Sequence, residues 1–284
     1  MMKDIGLVLE GGGSRGVYTA GVLRYLMEND TFFPYVIGVS AGACNGSSYI
    51  SKQIDRNRIT TIEYVNHPEY LSFRNWLTKR QLFGMDFIFD TLPNQLVPFD
   101  YETFNSAPEE FVVGVTDCTT GESLFYRKSE FADDMITLLR ASSSLPLVAP
   151  IVHFDEKALM DGGISAPIPI KQAIRDGYEK NVVVLTRNRG YYKKPQSINW
   201  YMQKKYQQYP GLLAALKKRH QEYNETINFL YEEEKKGNVF IISPTEKLKV
   251  GRVERNKNKL KDLYHRGYQD LEQLNDALNE FLQT

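Results

Sequence analysis

The sequence predicts an α/β fold, a central and mostly parallel sheet with helices covering both faces. Three observations carry this. Short unbroken apolar runs at Ile5 to Leu9, Tyr35 to Val39 and Val182 to Leu185 read as strands buried on both sides. Helical spacing follows the first run, with Val17, Ala20, Leu23, Leu26 and Met27 on one face. Strands and helices then alternate, the order that builds a parallel sheet through crossover connections.

The first strand, Ile5 to Leu9, leads into Gly11-Gly12-Gly13-Ser14-Arg15-Gly16 and the first helix. The second strand, Tyr35 to Val39, ends at Ser40. The small residues Ala41 to Ser48 then predict a helix lying close against the sheet. Residues 55–110 have no clean period. Phe111 to Val115 and Ser123 to Tyr126 flank Thr119-Thr120-Gly121-Glu122 as a hairpin. A helix is expected over Ala132 to Ser142, and Pro146 and Pro150 break the chain after it. Ile151 to Phe154 and Lys157 to Met160 form a second hairpin around Asp155-Glu156, running into Asp161-Gly162-Gly163. A helix is predicted over Ile168 to Tyr178, and one more buried strand over Val239 to Ile242. A last helical stretch covers Arg255 to Leu282.

The 284 residues suffice for a large core without disulfides. Apolar residues make up 42% and charged residues 25%, a folded composition rather than a disordered one. The 35 basic and 35 acidic side chains cancel, which argues against wholesale nucleic-acid binding. Neutrality conceals an asymmetry: residues 1–192 carry a net −5 and residues 193–284 a net +5. The composition changes at about Tyr191, and a first unit over 1–192, the one that holds the motifs below, is expected. A mainly helical extension over 193–284 would add one strand at about 238–243. Cys44 and Cys118 are the only cysteines, too few for a disulfide framework and suited to a reducing compartment. No metal-ligand spacing occurs and no cofactor is expected. Asp4 and Glu10 bracket the first apolar run, so no signal peptide is expected. No run approaches transmembrane length either, and the expected location is cytoplasmic.

Gly38-Val39-Ser40-Ala41-Gly42 is a GxSxG between strand and helix. A serine there sits on a tight, strained turn that presents its hydroxyl as a nucleophile. The Ala41 amide, first in the following helix, is a natural oxyanion donor. The glycine loop of residues 11–16 can aim several amides at one anion. Gly11, Gly13 and Gly16 also fit a dinucleotide fingerprint, but that fingerprint wants an acidic residue where the second strand ends, and Ser40 stands there. Asp161-Gly162-Gly163 after a strand is often only a turn; beside a nucleophile elbow, Asp161 is a candidate base.

GGGSRG, GVSAG and DGG, in this order and these contexts, resemble the patatin-like phospholipase family over about residues 5–186. The resemblance implies a three-layer α/β/α fold and a Ser–Asp dyad that hydrolyses acyl esters. It implies Ser40 as nucleophile, Asp161 as base, and Gly11, Gly12, Gly13 and Ala41 at the oxyanion hole. Arg15, Gly16, Gly38, Gly42, Gly162 and Gly163 complete the motifs. DGG is a permitted variant of the family's DGA. Lipid or another acyl ester is the expected substrate. A serine esterase or transacylase on a different acyl donor stays open, as does an idle lipid-binding module. The presence of Ser40, Asp161 and Arg15 together argues against the latter.

A histidine base would have to be His220 or His265, both in strongly polar helical stretches. Ten aromatics fall between Tyr64 and Phe104, including Phe73 and Trp76. Most are expected to fill core, with Phe87, Ile88 and Phe89 the candidates for an acyl pocket. Lys193 to His220 holds seven basic and no acidic residues, interleaved with Tyr192, Trp200, Tyr201, Tyr206 and Tyr209. A solvated helical face is the plain reading, and contact with an anionic membrane the functional one. No nucleic acid is expected.

Overall fold

The computed structural model describes residues 4–70 and 83–283. Eight strands form one sheet: β1 (Ile5–Leu9), β2 (Tyr35–Val39), β3 (Glu110–Asp117), β4 (Ser123–Arg127), β5 (Val152–Phe154), β6 (Lys157–Asp161), β7 (Lys180–Val184) and β8 (Val239–Ile242). Their order is β5-β6-β3-β2-β1-β7-β8, with β4 also paired to β3. From β3 to β8 all neighbours run parallel; β4, β5 and β6 add antiparallel pairs.

The buried runs divide by the two-residue period of a strand. Leu7, Leu9, Val36, Val182, Val184 and Ile242 face one core, shared with helix α1 (Val17–Glu28) and with Leu260, Leu263 and Leu271. Val8, Ile37, Val183 and Ile241 face another, shared with Ile170, Tyr223, Ile227 and Leu230. This is the three-layer arrangement of helices, sheet and helices. It explains why these strands lack polar alternation: neither face meets water.

Residues 193–283 are built into this body. The Pro210–Lys235 helix supplies Tyr223, Ile227 and Leu230 to the second core, and β8 extends the sheet beside β7. The Lys257–Gln273 helix packs on α1 so closely that a Cβ at Gly21 would collide with the Tyr264 carbonyl, and one at Gly267 with the Tyr18 carbonyl. The Tyr18 hydroxyl donates to Asp270 Oδ2 across that contact at 3.1 Å.

Several expected boundaries shift. The 132–142 helix starts as a 3-10 turn at Ala132–Asp134 and becomes α-helical at Met135–Ser142. The helix after Pro167 is confined to Ile170–Arg175. The last stretch is two helices, Lys257–Gln273 and Asn275–Gln283. Within residues 55–110, the described segments Ile59–Glu63 and Phe87–Leu96 are wide π-helical turns, where the 3.6-residue pattern does not hold. At the second hairpin Asp155 and Glu156 both take positive φ, 48° and 58°, as a tight two-residue turn requires.

Candidate active site

β2 delivers Ser40 to the edge where the parallel strands end. Helix α2 (Ala41–Ile50) begins one residue later, and Ser40 lies between them at φ 54°, ψ −128°. A non-glycine residue there is strained and persists only when its surroundings enforce it. The enforcement is visible. Gly38 and Gly42 let the turn close, since a Cβ at Gly38 would lie 2.7 Å from the Ala43 nitrogen and one at Gly42 would strike the Leu9 carbonyl. The Ser40 amide donates to Ser142 Oγ at 2.8 Å, and that hydroxyl donates onward to the Gly114 carbonyl at 2.7 Å. Sequence reasoning missed Ser142, which looks like any serine in the run 142–144. Ser142→Ala would leave the buried Ser40 amide and Gly114 carbonyl without this bridge. A loss of roughly 1–3 kcal/mol in stability is expected, read by denaturant unfolding.

β6 delivers Asp161. β3 pairs with β2 as far as Val39 opposite Gly114, and with β6 starting at Asp161 opposite Val115. The opposite edge of β3 is taken by β4 over Val112 to Thr116. β2 and β6 therefore share one edge of β3, approach from opposite directions, and end against each other. Ser40 and Asp161, 121 positions apart in sequence, meet at that junction. Gly162 makes the junction possible, because a Cβ there would strike the Gly114 carbonyl.

Asp161 is buried. Its Oδ1 accepts from the Gly163 amide at 2.8 Å. Its Oδ2 has no hydrogen bond of good geometry, while the Ser40 hydroxyl is close enough to stabilise the charged carboxylate. Burial raises its pKa above the usual carboxylate range. Arg219, Ser40, the Gly163 amide and Arg252 oppose that rise.

The glycine loop crosses in front of Ser40. Among the described residues the Gly11, Gly12 and Gly13 amides donate to no protein group. Gly13 takes φ 57°, and a Cβ there would strike the Arg252 carbonyl, which accepts from the Ser14 amide at 2.9 Å. Asn45 of α2 donates to the Gly16 carbonyl at 2.7 Å, tying loop to helix. Arg15 is buried with its Nε unpartnered, and burial together with Arg187 lowers its pKa to about 10.

Two cavities meet at Ser40, which lines both. One, of about 170 Å³, is mostly apolar and is walled by Tyr70, Phe83, Ile88, Phe89, Leu92 and Leu139 among others. Ile88 and Phe89 reach it as expected; Phe87 does not. Phe87 is buried and stacks on His67 with ring centres 4.3 Å apart, so it belongs to the packing behind the wall. Phe73 and Trp76 lie outside the described residues. No histidine lines either cavity: His265 and His153 are exposed, and His220 turns back to the Lys217 carbonyl. The second, smaller recess holds Glu10, Asp161 and the cations Arg15, Arg187, Lys193, Arg219 and Arg252. Lys193 and Arg219 thus turn inward, contrary to a solvated face, because the loop and helix that carry them pack over the strand ends. Lys194, Lys204, Lys205, Lys217 and Lys218 stay exposed. Among the described residues no helix is long and apolar enough to cross a membrane.

Comparison with known proteins agrees with this architecture. A solved structure, VipD from Legionella pneumophila, superposes with a TM-score of 0.52 over 97% of this chain and 67% of its own, at 14% identity, a likeness of fold. YjjU of Escherichia coli, an uncharacterized protein, is 29% identical over 198 residues, 68% of this chain and 54% of that one. An uncharacterized NTE family protein of Mycobacterium tuberculosis, Rv2565, is 26% identical over 177 residues, 59% of this chain and 27% of its own. The chain thus spans about half, or less, of the length of these curated relatives. A domain of unknown function, DUF6363, matches residues 209–283. The model of the patatin-like phospholipases matches residues 7–174, from β1 through both strand ends that meet at Ser40, and the chain belongs to that family.

Proposed function

We propose that this protein hydrolyses lipid acyl esters through an acyl-enzyme on Ser40, with Asp161 as general base. The observation that carries the reading is the meeting of a strained serine, which lines an apolar cavity, with a buried, under-bonded carboxylate. Ser40 Oγ attacks the ester carbonyl carbon while its proton passes to Asp161 Oδ2. The carbonyl oxygen, now an oxyanion, is within the field of the free Gly11, Gly12 and Gly13 amides and the Ala41 amide at the start of α2. Collapse breaks the ester C–O bond. Asp161 returns the proton to the departing alcohol, and the acyl group stays on Ser40. Water then attacks the acyl carbon, Asp161 takes its proton, and the fatty acid leaves as Ser40 regains its hydrogen.

A carboxylate is ordinarily a weak base at neutral pH. Burial, by raising the Asp161 pKa, brings it nearer the operating range. The apolar cavity is suited to the acyl chain, since such pockets bury hydrocarbon and leave a few polar groups to orient the reacting atoms. Product analysis on a mixed panel of phospholipids, acylglycerols and soluble esters tests the reading. Release of free fatty acid by the wild type, absent in Ser40→Ala, is expected. Release of no acyl product from any member would refute it.

Contact with an anionic membrane is the second part of this proposal. Trp200 is 70% exposed and Tyr201 53%, and Lys204 lies 5.2 Å from the Trp200 ring centre. Exposed aromatics among lysines suit the interface of an anionic bilayer. Co-sedimentation with phosphatidylglycerol vesicles is expected at low salt, weakened by salt and by Trp200→Ala. Absence of binding at low salt would remove the membrane contact.

A further inference from the structure

The Pro210–Lys235 helix packs by one face, on which Leu212, Leu216, Tyr223, Ile227 and Leu230 recur at helical spacing. Arg219 falls on that same face, three residues after Leu216 and four before Tyr223. A cation at a core position costs free energy unless its neighbours compensate it. Among the described residues no carboxylate lies within salt-bridge distance of Arg219. Its Nε donates instead to the Gly163 carbonyl at 2.6 Å, and the Gly163 amide donates to Asp161 Oδ1 at 2.8 Å. One residue thus links the guanidinium to the carboxylate. The start of the helix is fixed for this contact: the Leu212 amide donates to the Cys118 carbonyl at 3.0 Å, and a Cβ at Gly211 would strike the Thr119 carbonyl. At Gly163 a Cβ would lie 2.9 Å from Asp161 Oδ1 and 3.4 Å from Arg219 Nη2. The glycine that makes this motif DGG rather than DGA leaves room for both groups.

We infer that Arg219 is a positioning residue for Asp161: it holds the Asp161-Gly162-Gly163 turn by the Gly163 carbonyl and keeps a positive charge beside the carboxylate without occupying its oxygens. Arg219 belongs to residues 209–283, outside the segment 7–174 that the patatin-like model matches, so the carboxy-terminal region completes the dyad. A direct ion pair would engage a carboxylate oxygen and weaken the base. A cation held one residue away leaves Oδ2 open to Ser40. Burial raises the Asp161 pKa, and Arg219 is the strongest of the influences that oppose it. Burial together with Arg252 lowers the Arg219 pKa only to about 10, so the charge is kept at neutral pH.

This inference rests on the hydrolase reading for its kinetic test, and a stability test stands without it. Rates on a neutral soluble ester, p-nitrophenyl butyrate, are measured across pH for wild type, Arg219→Gln, Arg219→Lys and, at an exposed neighbour, Lys218→Gln. Arg219→Gln is expected to lower plateau kcat about tenfold or more, as the loss of one charge-assisted hydrogen bond permits, with KM little changed. Its acid limb should move to higher pH, because Asp161 ionises less readily without the cation. Arg219→Lys keeps the charge and loses the Nε bond, so kcat should fall while the acid limb stays near that of wild type; it is the variant to read if the glutamine protein does not fold. Lys218→Gln should leave both in place. Asp161 also faces Arg252, Cys44 and, across the recess, Glu10, Arg15, Arg187, Tyr191, Lys193 and Tyr223. Of these, Lys193 responds to the change: burial and Arg219 hold it down to about 7, and it regains charge once Arg219 is neutralised. The profiles of wild type and Arg219→Gln are therefore repeated with Lys193→Gln in place.

The stability test is a double-mutant cycle of Arg219→Gln and Asp161→Asn, read by thermal unfolding over a range of pH. Asp161→Asn should raise the unfolding temperature more in the Arg219→Gln protein than in wild type, since a buried carboxylate without its cation costs more. That difference should appear as pH rises through the Asp161 pKa. An acid limb unmoved by Arg219→Gln, with Lys193→Gln in place, would reduce Arg219 to a structural contact and overturn the inference. So would an effect confined to KM, which would make Arg219 a substrate contact, and so would kcat unchanged in Arg219→Lys or an additive cycle. Coupling in the cycle, with no turnover of any ester by the wild type, would uphold the placement of the cation at Asp161 and overturn the hydrolase reading.

Discussion

Ser40→Ala is expected to lower ester hydrolysis by on the order of 10⁴–10⁶-fold and to abolish labelling by a fluorophosphonate probe. Losing the nucleophile of such a site removes most of its rate, and what survives comes from binding and the oxyanion donors. The fold should be unaffected. Alanine keeps the Cβ, the backbone strain at φ 54° is unchanged, and the anchoring bond to Ser142 comes from the Ser40 amide rather than its side chain. Thermal unfolding close to wild type, together with lost turnover, is the outcome that supports the role. Rates or labelling retained in the variant would place the nucleophile elsewhere.

Asp161→Asn should lower turnover by about 10²–10⁴-fold, the usual contribution of a positioned base. Its effect on stability should run the other way. Burial raises the Asp161 pKa above its unfolded value. Such a carboxyl stabilises the fold through its bound proton below the unfolded pKa, and that contribution is lost as pH rises through the folded pKa. Above that folded pKa the wild type therefore carries a buried charge at a cost. Asparagine carries none, and its Oδ1 can still accept from the Gly163 amide. Above the raised Asp161 pKa the variant should unfold at an equal or higher temperature than wild type, and any advantage should shrink as pH falls through it. Wild-type activity should have an acid limb above the range of an exposed carboxylate. Near-wild-type rates in Asp161→Asn, or an acid limb at an ordinary carboxylate pKa, would remove Asp161 as the base.

Much of the scaffold was legible because its determinants are local. β1, β2 and β8 occupy the apolar runs that announce them, since a strand buried on both faces needs no polar alternation. The serine turn was legible for the same reason: its glycines answer to neighbours within a few residues, as at Gly38 against Ala43. Ile59–Glu63 and Phe87–Leu96 were not legible, because π-helical turns erase the period by which helices are read. Lys193 and Arg219 looked like solvated charges, because composition does not reveal what a charged side chain is packed against.

The sequence by itself determined the order of strands and helices, the turn at Ser40 and the identities of the residues in its three motifs. These depend on periodicity, backbone sterics and side-chain chemistry, all short-range. Only the tertiary structure decided that Asp161 stands beside Ser40 rather than in an ordinary turn. That placement comes from register on β3, where Gly114 pairs with Val39 and Val115 with Asp161. Only the tertiary structure, too, drew Lys193, Arg219 and Arg252 into the recess behind Ser40, through the packing of the carboxy-terminal helices over the sheet. Both are matters of which distant segments share an edge or a face, and that is settled by pairing and burial across the whole chain.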